Sequence, residues 1–144
     1  MTTLTEEQVA LRVCRLLGTL PGFLWVEPDS GGVYPRDTPD VAVFAGPIGA
    51  TPDRAVGVWV YARDVDLGNG LTTARVQLRT RGRPSDVFDA GRIADTVHDL
   101  LHGLTRTGGI NSAVRPDGAT ALLGLDGEQR LERTDTYHLT VTEA

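Results

Sequence analysis

Two histidines four residues apart, in His98-Asp99-Leu100-Leu101-His102, have the spacing of a helical two-histidine metal site. One helical turn separates them, so both imidazoles fall on one side of a helix. The segment lacks the glutamate directly after the first histidine that a helical zinc hydrolase uses as general base. Only His138 remains as a third imidazole. His98 falls at the margin of an apolar stripe and His102 beside Asp95 and Asp99, so the same pair also reads as two boundary or surface histidines. Asp95 and Asp99 are again one turn apart. Paired carboxylates do acid–base work only in a cleft that raises one pKa; on the polar side of a helix they are solvated. Cys14 is the only cysteine, which excludes an internal disulfide and a cysteine-rich zinc site. Its place at the edge of an apolar stripe predicts a part-buried structural thiol.

The remaining polar residues offer little to a reaction. All 14 basic residues are arginines, so lysine Schiff bases and a P-loop lysine are absent. Ser30, Ser85 and Ser112 lack a Gly-x-Ser-x-Gly setting, and the pairs Gly31-Gly32 and Gly108-Gly109 are not a phosphate-binding fingerprint. No catalytic set and no cofactor are therefore expected. The 144 residues predict one domain spanning 1–144, large enough to fold without a staple. No apolar run is long enough to cross a membrane, and residues 1–7 carry no export pattern. A net charge of −5 argues against a protein whose main task is gripping nucleic acid backbone.

The elements follow from periodicity. Val9, Val13, Leu16, Leu17 and Leu20 predict a helix from Leu4 to Leu20, with Thr5 and Gln8 as a capping box. Short strands are predicted at Phe23–Val26 and Val41–Phe44, with loops at 28–40 and 46–53. Ala90, Ile93, Val97, Leu100 and Leu104 mark a second amphipathic helix, opened by Ser85 or Asp86. A loop is expected over Thr105–Gly118, then strands at Ala119–Leu125 and Arg133–Thr142. Hairpin connections predict an α+β fold: a largely antiparallel sheet with two main helices packed on one face.

The clearest strand signal lies in Val56–Arg63 and Leu71–Arg81. Val56, Val58, Val60 and Ala62 alternate with Gly57, Trp59, Tyr61 and Arg63; Ala74, Val76 and Leu78 alternate with Arg75, Gln77, Arg79 and Arg81. Matching the apolar faces predicts Val58 opposite Val76, Val60 opposite Ala74 and Trp59 opposite Arg75. A two-residue turn at Asn69-Gly70 has the wrong parity for this pairing. A long hairpin is expected instead, ending in a protruding loop over about Asp64–Gly70 with Asp66 and Asn69 exposed, and room for a bulge. The other face collects Trp59, Tyr61, Arg63, Arg75, Gln77, Arg79 and Arg81. These are the residue types of protein–protein hot spots, so the face is either a subunit interface or covered by other parts of the domain.

Val76-Gln77-Leu78-Arg79-Thr80-Arg81-Gly82, the Pro84-Ser85-Asp86 link, and Ala94-Asp95-Thr96-Val97-His98-Asp99-Leu100-Leu101-His102-Gly103 resemble the minor capsid or tail terminator proteins of tailed bacteriophages. The first helix and a last strand with Asp135, Tyr137 and Leu139 sit where that family has them. The resemblance implies a non-enzymatic virion protein of the tail or neck, assembled in the host cytoplasm. It implies a ring, usually of six copies, that caps the tail tube protein, stops polymerisation and meets the head-side connector or stopper protein. DNA would pass through the lumen without specific binding. Two other readings stand beside it: a head-completion or stopper protein of the neck, and a small metal-binding enzyme using His98, His102 and His138.

Overall fold

The computed structural model describes residues 4–66, 68 and 70–142. Helix α1 (Glu6–Leu17) begins at the expected capping box: the Gln8 amide donates to Thr5 Oγ1 at 3.1 Å and the Thr5 amide to Gln8 Oε1 at 2.8 Å. Its stripe of Val9, Val13, Leu16 and Leu17 is buried. Strands β1 (Phe23–Trp25) and β2 (Val41–Ala45) follow, then the long pair β3 (Ala55–Asp66) and β4 (Leu71–Arg81). Helix α2 (Asp89–Leu101) starts later than its sequence signals suggest. Its cap is Phe88, while Asp86 accepts the Phe88 amide just outside the helix. Strands β5 (Leu104–Thr107) and β6 (Ile110–Val114) occupy most of the stretch expected to be a loop. Four residues before Gly108-Gly109 and five after it are too few for the alternation rule to register. Strands β7 (Thr120–Leu125) and β8 (Leu131–Thr142) complete the chain.

The strands form one sheet in the order β1-β2-β3-β4-β8-β6-β5, with β7 also paired to β8. The fold is α+β as expected, but the sheet is mixed: β1–β2 and β2–β3 are parallel and the other pairs antiparallel. The connections at 26–40 and 46–54 are long enough to carry the chain back across the sheet, which a hairpin reading overlooks. Both helices pack on one face, α1 against β1–β3 and α2 against β4 and β8. One apolar core joins them, with Val56, Val58, Val76, Leu78, Tyr137 and Leu139 on the sheet side.

The β3–β4 register is shifted by two residues from the expected one. Val58 faces Leu78, Trp59 faces Gln77 and Val60 faces Val76, so the apolar faces still match. Tyr61 is then bulged out, and the pairing resumes at Ala62 opposite Arg75. The bulge reverses the alternation beyond it. Ala62 moves to the outer side, whereas Arg63 comes to lie opposite the buried Ala74 and donates to the Leu4 carbonyl beside α1. The expected loop from Asp64 is strand as far as Asp66: Asp64 pairs with Thr73 and Asp66 with Leu71. The Gly70 amide closes the turn on the Asp66 carbonyl at 3.0 Å. Asn69 lies outside the described residues.

Candidate functional site

The sheet face turned away from the helices has two parts. At one end the 46–54 connection lies across it. A side chain at Gly57 would stand 2.6 Å from the Gly46 carbonyl and 2.9 Å from Ile48, so only glycine admits the crossing strand. Arg81 is 4% exposed beneath this segment. It donates to the carbonyls of Asp53, Gly49 and Pro52 at 2.8, 2.9 and 2.7 Å. Buried Arg130 reaches the same segment from the β7–β8 turn, bonding the Ala50 carbonyl and Asp53 while Asp126 holds its Nε. Arg54 ties the end of the segment to Asp89 at the start of α2, through two hydrogen bonds of 2.9 and 3.0 Å.

The other end is open. Trp59 and Tyr61 are 44% and 53% exposed. With Gln77 and Arg79 they line a groove of about 450 Å³. Arg79 is held by Glu132 through two 3.2 Å hydrogen bonds, and Arg75 stands exposed on the same face opposite His138. Five of the seven residues expected on this face therefore come together. Arg81 is a buried clamp, and Arg63 is on the helix side because of the Tyr61 bulge. Asp64 and Asp66 are exposed at the far end of β3.

The histidine pair does different work. The rings of His98 and His102 stack with centroids 4.5 Å apart. The Arg115 amide donates to His102 Nδ1 at 3.0 Å, which leaves the His102 proton on Nε2. His98 Nδ1 is 3.0 Å from the buried Tyr137 hydroxyl. Burial lowers the His98 pKa, helped by the charges of Arg115 and His102, and burial pushes Tyr137 up to about 12. A metal would need the Nε2 lone pair that His102 lacks in this arrangement. His138 lies on the opposite side of the sheet, and among the described residues no three His, Cys, Asp or Glu gather. Asp95 and Asp99 are exposed on α2. Cys14 is buried, and burial raises its thiol to about 12, far from a reactive thiolate.

Beneath the histidines, buried Asp135 accepts two hydrogen bonds from Arg133 and one each from Arg115 and Thr120. Burial pushes this carboxyl up, but the Arg133 and Thr120 bonds and the arginine charges outweigh it and hold the pKa low. Asp89, Arg130 and Asp135 are structural centres that spacing does not reveal, since each also holds a partner distant in sequence: Arg54, Asp53 and Arg115. A further surface feature also has no periodic signal. Leu122, Leu123 and Leu125 of β7 are 70%, 47% and 52% exposed.

A family described as bacteriophage tail terminator protein matches residues 25–143. Among solved structures, the chain is similar to one from the virion of a native gene transfer agent particle. The identity is 14% and the TM-score 0.52, over 72% of this chain and 78% of that one, a likeness of fold. No curated relative matches the sequence. The family match runs from β1 to the end of β8 and takes in both helices' sheet partners, the arginine clamps and the open aromatic face: the chain belongs to the bacteriophage tail terminator family, structural proteins of the virion tail and neck.

Proposed function

We propose that the protein closes into a ring, of six copies as the family resemblance implies, which caps the tail tube, halts its polymerisation and offers the joining surface to the head-side connector. The open Trp59–Tyr61–Arg79 face carries this reading. Aromatic and arginine side chains at a half-exposed groove are the composition of an association surface, and the helices already cover the sheet's other face. A ring requires contacts that close on themselves, and a face of the sheet left uncovered by the helices offers one side of such a contact. A net charge of −5 is compatible with a lumen through which DNA passes without being held.

Electron microscopy of particles made without the protein tests the role. Tails of uncontrolled length are the expected result. Tails of normal length that fail to join heads would instead assign it to a neck component that acts after termination.

A further inference from the structure

A head-to-tail ring needs two different patches that fit each other, and the surface carries two candidates of opposite character. The first is the groove of Trp59, Tyr61, Gln77 and Arg79, with Arg75 exposed on the same face. The second is β7. Among the described residues it pairs only with β8, leaving its outer edge open, and it exposes Leu122, Leu123 and Leu125 within six residues. An apolar open edge is what folded proteins blunt with charge, bulges or cover unless something docks there. Here a bulge sits between Leu122 and Gly124, yet the leucines remain exposed.

The charges around the two patches are complementary. Exposed Asp117 precedes β7 and exposed Glu128 follows it. Arg75 and Arg79 stand at the groove. Neither Arg75 nor Asp117 forms an ion pair among the described residues. Arg79 is already paired with Glu132 and Glu128 with Arg130, so Arg75 at the groove and Asp117 at the edge set the sign: groove against groove would place Arg75 against Arg75, and edge against edge Asp117 against Asp117. The groove, which β3 and β4 form, also cannot take its own β7, because β8 lies between β4 and β7 in the sheet.

We infer that the β7 edge of one copy seats its leucines in the Trp59–Tyr61 groove of the next, forming the repeating contact of the ring. This rests on the ring reading above and names the two surfaces that meet. The apolar side chains supply the contact area, and the flanking charges set its direction.

Two variants of the full chain test it. Leu122→Thr with Leu125→Thr disables the edge, and Trp59→Thr with Tyr61→Thr disables the groove; threonine keeps strand propensity at all four positions. Thermal unfolding of each, compared with wild type, confirms that both are folded. Sedimentation over a concentration range should then show each variant associating at least about tenfold more weakly than wild type. Mixed together, the two variants should form one-to-one dimers and stop there, since only one good contact can be made between them. A ring that still forms from the leucine variant overturns this contact and leaves the ring itself standing. So does a mixture that stays monomeric where wild type assembles. A wild type that remains monomeric at every concentration and on added tail tubes overturns the ring, and this contact with it.

Discussion

The outer face of the sheet has a covered end and an open end built from the same alternating pattern. At the covered end, Gly57 and Arg81 lie beneath the 46–54 connection. At the open end, Tyr61 and Gln77 lie beyond it, and Trp59 borders Pro47 and Ile48 yet remains 44% exposed. Strand alternation tells which residues share a face, but not whether anything lies over them. What separates the two ends is the missing side chain at Gly57, which lets another stretch of backbone cross the strand. An arginine under such a crossing becomes a donor to carbonyls. The same residue type two positions along β4, at Arg79, remains at the surface with Glu132.

The covered end should be far less tolerant than the open one. Arg81→Ala should lower stability the most, by about 3 kcal/mol in urea unfolding, because three carbonyls lose their donor under a segment that excludes water. Gly57→Ala should cost about 2 kcal/mol, since the added carbon meets backbone at Gly46 that cannot swing aside. The smallest change is expected at the open end. There Trp59→Thr with Tyr61→Thr should cost folding about 1 kcal/mol or less while weakening association. If this last pair destabilises the monomer as much as Arg81→Ala does, the open end is covered too and the distinction fails.

Much of this was legible in the residues. The capping box at Thr5 and Gln8, the apolar stripe of α2 and the inward valines of β3 follow from spacing alone, because helices and strands repeat at fixed periods. The register was harder. An apolar face matches itself equally well after a two-residue slip, so Val58 opposite Val76 and Val58 opposite Leu78 satisfy the same pattern. The bulge at Tyr61 breaks the pattern locally and carries Arg63 to the helix side, against the face that alternation assigns it. Arg81 lies on the outer face as alternation predicts, but its cover does not show in the spacing, because its partners are carbonyls, which carry no side-chain signature. Gly57 was the available clue to the covering segment. Strands β5 and β6 escape notice through their short length, the parallel pairing of β1 to β3 because spacing names strands and not their direction, and the exposed leucines of β7 because they look like any other strand of a core.

The clamp on the 46–54 segment also bears on the order in which the chain is made. Its arginine donors come from residues 28 to 80 positions further along: Arg81 from β4, then Arg130 from the turn before β8. A growing chain that has released β2 and β3 still lacks both, together with Asp89, the anchor of Arg54. The segment that covers the early strands is therefore fastened in two steps, first by Arg81 and Asp89 as β4 and α2 emerge, and later by Arg130. Until β4 has emerged, the β3 surface around Gly57 has no fixed cover, and until residue 130 the cover is held from one side alone.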